Sequence, residues 1–216
     1  MIRYLIPLSL LVLLSACSFK SAPNIWQKKS TTAFNSYQKD FLSQRELLAK
    51  SDIRRAVEHA KMSANLTQLA KVYLGECALN ISVGLNAGCK EYKEVESFVD
   101  SRELNAYYHF ITASYTQEHI EFLPKRYRAF ATYLLEGRII EANREVFMFE
   151  RAISSLLSAK LLDNKLTTKS RKKVLDLVSL HGYKKAAIFW LKELKKYTKD
   201  EVELENISKR ISILTQ

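Results

Sequence analysis

The sequence predicts an all-α protein, built of antiparallel helix pairs that stack as a solenoid-like array or close into an irregular bundle. Three observations carry this. The 216 residues hold only five glycines and three prolines, so helix-breaking residues are scarce among Ala, Leu, Lys and Glu. Apolar residues recur at the spacing of one helical face, with charged residues between them. One pattern also returns four times: a turn-capable residue, Ala five positions later, then residues suited to a packed face four and three further on. It reads Asn65, Ala70, Leu74, Cys77; Ser101, Ala106, Phe110, Ala113; Gly137, Ala142, Val146, Phe149; and Gly182, Ala187, Leu191, Leu194, with starts 36, 36 and 45 residues apart. That is the length of a helix pair, in which an early small residue lets the partner helix come close.

The first residues stand outside that pattern. Arg3 precedes an apolar run from Tyr4 to Leu14, which is too short to cross a bilayer core that needs about 20 apolar residues. A basic residue, a short apolar stretch and a small-residue cut site follow the order of a secretory signal. Leu14, Ser15, Ala16 and Cys17 resemble the lipobox of bacterial lipoproteins. The resemblance implies that Cys17 receives a diacylglycerol, that residues 1–16 are removed and that the new amine is acylated. Several buried acyl chains hold stably where one binds only marginally. Ser18 stands where an inner-membrane lipoprotein of this kind commonly carries Asp, which points to the outer membrane, facing the periplasm. Residues 17–29, with Pro23 and no sustained apolar period, read as a tether, and residues 30–216 as the helical domain.

Along the domain, Phe34, Tyr37, Phe41, Leu42 and Leu48 predict an amphipathic helix from about Ile25 to Ala49. Ser51 or Asp52 caps the next, with Ile53, Ala56, Val57 and Ala60 on its apolar stripe. After a break at Asn65, Leu66, Leu69, Ala70, Tyr73, Leu74, Cys77, Ala78 and Ile81 make a face broad enough to be buried between neighbours. Pro124 suits the first turn of a helix running to Glu136, and Gly137 its left-handed cap. A long helix is expected from Arg138 to about Leu162. Others run from Thr168 or Ser170 to Gly182, from Ala186 to Tyr197 and from Val202 to Leu214. The last reads as a terminal cap with a charged outer side formed by Glu201, Glu203, Glu205, Lys209 and Arg210. Tyr133, Gly137, Glu141 and Ala142 resemble the inter-helix turn of the tetratricopeptide repeat, which implies a protein-binding role for the array. The first unit has Arg54, Val57 and Glu58 where that family has Trp, Leu and Gly.

Charge is concentrated late in the chain. Of the formal net +11, most lies between Lys160 and Lys199, where eleven lysines and Arg171 face only Asp163, Asp176 and Glu193. Lysine is the ordinary exposed helix former, and such a surface also attracts anions without choosing among them. Lys172, Lys173, Lys184, Lys185, Lys195 and Lys196 are the candidate contacts for an acidic protein partner, an anionic lipid or a polysaccharide. The expected address removes nucleic acid from the partners.

Cys77 and Cys89 remain once Cys17 is lipidated, and an even pair in an exported chain suggests a disulfide; two buried thiols are the alternative. The four histidines, His59, His109, His119 and His181, stand singly, without a zinc signature, and neither a phosphate loop nor a nucleophile elbow is present. No enzyme activity, metal or cofactor is expected. Tyr107, Tyr108, Phe110 and Tyr115, and Phe147, Phe149, Phe189 and Trp190 further on, are either core or interface anchors. The function read from the sequence is that of a membrane-anchored envelope adaptor or assembly factor, with direct binding of an anionic envelope polymer or lipid as the alternative.

Overall fold

The structure, a computed structural model, describes residues 24–85 and 88–216; the lipobox with Cys17, the tether residues up to Pro23, and Asn86 lie outside the described residues. Among the described residues every regular element is helical. The order is α1 Ile25–Leu42, α2 Glu46–Ala60, α3 Thr67–Ser82, α4 Lys90–Val95, α5 Arg102–Ile111, α6 Gln117–Ile120, α7 Lys125–Leu135, α8 Ile139–Met148, α9 Ala152–Leu162, α10 Thr168–Leu180, α11 Lys184–Tyr197 and α12 Glu201–Thr215. The all-α class is thus the observed one. No described helix is long and apolar enough to cross a membrane.

Local chemistry sets many of the boundaries. Ser101, Thr167 and Asp200 each accept a hydrogen bond from the backbone N–H three residues ahead, starting α5, α10 and α12; such a cap satisfies a donor that the first turn leaves unpaired. Gly137 and Gly182 adopt φ of 72° and 66°, the left-handed geometry that stops a helix without a Cβ penalty. The four recurring units fall on α3, α5, α8 and α11. Their early alanines Ala70, Ala106 and Ala142 are fully buried and Ala187 nearly so, so small size is used at the same register each time. The pattern's last residue leaves the helix in two units: Ala113 has φ 56° beyond α5, and Phe149 is extended beyond α8.

Two expected helices are each two. The helix predicted over Ile25–Ala49 breaks after Leu42, where Gln44 takes φ 64° and the Arg45 N–H returns to the Asp40 carbonyl at 2.8 Å. Arg45 also pairs with the Asp40 carboxylate at 2.6 Å. The apolar period ran across this break because α1 and α2 fold back on one another and share a core; Leu48, counted in the stripe, is exposed. Consequently α2 starts at Glu46 rather than at Ser51 or Asp52. The helix predicted over Arg138–Leu162 breaks at Phe149–Arg151, where Phe149 and Arg151 are extended. No Gly or Pro marks the place. Phe149 instead packs on Tyr127 of α7, ring centroids 6.1 Å apart. At the other end, α1 begins at Ile25, so residues 25–29, read as tether, are helical.

The core gathers around α9. Ala152, Ser154, Ser155, Leu156, Leu157, Ser158, Ala159 and Leu162 are buried, which covers every side of the helix, and it packs against α3, α7, α8 and α10. In a solenoid each repeat touches only its neighbours. Here α3 meets α9 and α1 meets α11, so the chain closes on itself as an irregular bundle. Gly84 permits part of that closure. It has φ 73°, and a Cβ there would lie 2.2 Å from the Phe189 ring of α11. Just beyond it Cys77 of α3 is bonded to Cys89 ahead of α4, with both cysteines buried.

Candidate functional site

The six candidate lysines do not form one patch. Lys172 of α10 reaches Glu203 of α12 at 2.7 Å, fastening the last helix to the bundle. Lys185 of α11 lies 2.7 Å from Glu46 of α2 and 4.1 Å over the Phe41 ring, so it braces two distant parts of the chain. Lys196 pairs with Glu193 on its own helix. Lys173 joins Lys169 over the Phe147 ring, at 5.8 and 5.0 Å. Lys195, with Lys192 and Lys199, is exposed and has no carboxylate partner among the described residues. Lys192 and Lys195 lie at i and i+3, on one side of α11, and Lys199 follows just past the helix end.

Arg171 belonged to the same basic window in the sequence, but it is not a surface charge. It is 2% exposed. Its guanidinium donates to the carbonyls of Leu166 and Asp163, the latter at 2.8 Å, and lies 3.6 Å over the Tyr197 ring. Burial pushes its pKa down, while Tyr197, Glu193 and Asp163 oppose the shift. It is a structural tie between the α9–α10 connection and α11.

Lys184 has a different setting. It lines a groove of about 400 Å³ with Ser179, Gly182, Tyr183, Ala187, Arg210, Ile213 and Leu214. Gly182 makes the tight turn that brings Tyr183 and Lys184 to one wall; Ile207, the one buried residue of α12, seats that helix to form the other. The groove has an apolar floor with a lysine and an arginine at its edge. Such a site accepts an aliphatic or aromatic group beneath a carboxylate or phosphate, because the apolar contact supplies burial and the cations fix the anion. The sequence reading put Arg210 on a charged outer face. The missed signal was Arg210, Ile213 and Leu214 at i, i+3 and i+4, which puts a cation and two apolar residues on one side of the helix.

The aromatic residues divide between core and surface. Phe110 and Trp190 are buried. Tyr115 donates its hydroxyl to the Ala131 carbonyl at 3.0 Å, and burial pushes its pKa up to about 12. Tyr108 stacks on Tyr92 at 5.2 Å, with Lys93 4.7 Å over its ring. His109 and His119, distant in sequence, have rings 4.6 Å apart. His119 accepts from the Thr116 N–H at 3.0 Å, and the His109 ring meets the Ser114 hydroxyl at 2.9 Å. Desolvation, then the neighbouring His119, lowers the His109 pKa; Lys93 adds to this and Glu96 opposes it. Among the described residues no three His, Cys, Asp or Glu gather to hold a metal.

Neither family models nor curated proteins nor solved structures give a match to this chain.

Proposed function

We propose that this chain is a lipoprotein anchored through Cys17, at the outer membrane and facing the periplasm, whose helical domain is an adaptor or assembly factor that docks an acidic protein partner in the groove between α11 and α12. The observation that carries the docking is the pairing of Lys184 and Arg210 with an apolar floor that includes Ile213 and Leu214. That combination is complementary to an amphipathic segment with Asp or Glu beside its apolar residues, and charge complementarity favours such a partner over a basic one. The lipobox-like Leu14–Cys17 stretch supports the anchor. The bonded Cys77 and Cys89 accord with an oxidising compartment.

A photo-crosslinking residue in place of Ile213, in intact cells, tests the adaptor reading. The expected result is an adduct with an acidic protein, lost when Lys184→Glu and Arg210→Glu are introduced together. An envelope that yields no protein adduct rejects it. Cys17→Ser tests the address: the chain should keep residues 1–16 and lose its acyl mass.

The second reading, direct binding of an anionic lipid or polysaccharide, rests on Lys192, Lys195 and Lys199, which are exposed without carboxylate partners among the described residues. It predicts binding that falls steeply with salt, since exposed charges are screened beyond about 10 Å at 0.1 M. Salt-insensitive binding would reject it.

A further inference from the structure

A second cleft opens where α1, α3, α5 and α7 converge on the start of α9, with His181 and Tyr183 of the α10–α11 turn in its lining; it shares Tyr183 with the docking groove but none of the groove's cations. Its volume is about 530 Å³, within the range of small-molecule sites. Phe34, Tyr107 and Tyr127 line its apolar side. The rings of Tyr107 and Tyr127 stand 6.2 Å apart. Gly75 gives the cleft its depth on the α3 side, because a Cβ there would come within 2.3 Å of the Phe34 ring.

The other side is polar and positive. Ala152, Ile153 and Ser154 form the first turn of α9 and line the cleft. α9 is eleven residues long, has no acidic residue in its first turn and no side-chain cap. The first intrahelical bond runs from the Ser155 N–H to the Arg151 carbonyl, and the three preceding N–H groups have no partner among the described residues. Such a turn concentrates donors and the positive end of the helix dipole, which together favour an oxyanion. A second observation points the same way. Ser154 is 3% exposed, lines the cleft, and its hydroxyl has no hydrogen-bond partner among the described residues. The Ser154 Oγ is reached from the cleft rather than sealed in the core, so a ligand oxygen there can accept its hydrogen bond. Arg126 and Arg151 line the same cleft. Both are exposed, and neither has a carboxylate partner among the described residues. Among the described residues, Glu150 is the only acidic one in the lining.

We infer that this cleft binds a small organic oxyanion, its phosphate or carboxylate on the first turn of α9 and the Ser154 hydroxyl beneath Arg126 and Arg151, its ring against Phe34, Tyr107 and Tyr127. A free metabolite and a lipid headgroup share this chemistry. An arginine fork suits either anion, since it presents parallel N–H donors to two oxygens. The aromatic wall selects a ligand with a planar or sugar ring over a bare ion.

The test is calorimetric titration of the full chain with phenyl phosphate and with benzoate. At least one should bind saturably. Its affinity should fall about tenfold in Ser154→Ala and by a larger factor in Arg126→Gln combined with Arg151→Gln, in keeping with the strength of hydrogen bonds to charged groups. Ala152→Pro is a backbone probe. Proline is tolerated at a helix's first position, Arg151 before it is already extended with ψ 118°, and the change deletes one donor. A thermal melt of each variant separates lost binding from lost folding. Absence of binding by both probes up to about 10 mM, a Kd weaker than any specific site would need, overturns the proposal, as does binding that Ser154→Ala and the arginine pair leave unchanged. Vesicles containing phosphatidylglycerol distinguish the sources. Vesicle binding lost with Ser154→Ala assigns the site to a headgroup. Vesicle binding lost only on substituting Lys192, Lys195 and Lys199 belongs to the α11 surface, and leaves the cleft to the soluble probes.

Discussion

Helices α9 and α12 are both capable of burial, yet they have opposite fates. α9 is covered on all sides. α12 buries Ile207 alone and leaves Val202 and Ile213 exposed. The difference lies less in apolar content than in what stands between the apolar residues. In α9 the intervening residues are mostly Ala and Ser, small enough for four other helices to approach. In α12 they are Glu, Lys and Arg, which cannot be buried unpaired and therefore fix that helix to one side. The outer helix is held by Ile207, by the half-buried Ile211 and Leu214 packed on the core and by the Lys172–Glu203 pair, which leaves Ile213 exposed at the proposed docking groove.

The largest expected effect tests this contrast directly. Leu157→Ala, at a fully buried position of α9, should cost about 4 kcal/mol through lost burial and a residual cavity. Ile213→Ala on α12, 69% exposed, should change stability by less than about 0.5 kcal/mol. Similar losses in urea melts of the two variants would mean that α12 is as integral as α9. Next comes the disulfide, which fastens α3, one wall of the α9 site, with no counterpart at α12. Replacing Cys77 and Cys89 together by Ser should lower stability by about 3 kcal/mol for a loop of this size. The same replacement should leave crosslinking at Ile213 intact, and loss of that crosslink in a folded variant would couple the two regions.

A smaller effect has the reverse sign. Ser158 is fully buried, and its hydroxyl has no partner among the described residues. Ser158→Ala should therefore raise stability by about 1 kcal/mol, read as a higher Tm. A drop would show that the serines of α9 serve bonding as well as size. The smallest effect concerns acid. His109, half-buried on α5, has its pKa below the ordinary 6.5, chiefly by desolvation and then by His119. The unfolded chain thus binds the proton more readily. The associated stability is complete above about pH 6.5 and is lost as pH falls through the lower folded value. Tm should decline from pH 7 towards pH 5, and less so in His109→Asn. α12 contains no histidine, so its attachment should not respond in that window.

Much of the helical order was legible in the sequence because it depends on nearest neighbours. Ser101 stood out as a turn residue and caps α5 through its own side chain, Gly137 and Gly182 turn through their lack of a Cβ, and the alanines at 70, 106, 142 and 187 recur where helices must approach; the cap of α10 is Thr167, one residue before the expected start. The breaks at Gln44 and at Phe149–Arg151 were not legible. A period of apolar residues continues across a turn whenever both helices face one core, and neither site carries Gly or Pro. The candidate site was legible only in part. Lys184 stood out with its neighbours, but Lys172 and Lys185 were equal to it in sequence and prove to be braces, because their partners Glu203 and Glu46 come from other helices.

The sequence by itself determined the all-α class, the glycine turns at Gly137 and Gly182, and the excess of positive charge in the later helices, since each follows from short-range sterics and composition. Only the tertiary structure decided that the array closes around α9, that Arg171 is buried, that Arg210 joins Lys184, and that Ser154 stands unpaired beside Arg126 and Arg151. Each of those depends on residues far apart in the chain, and no local period encodes which distant helix arrives beside it.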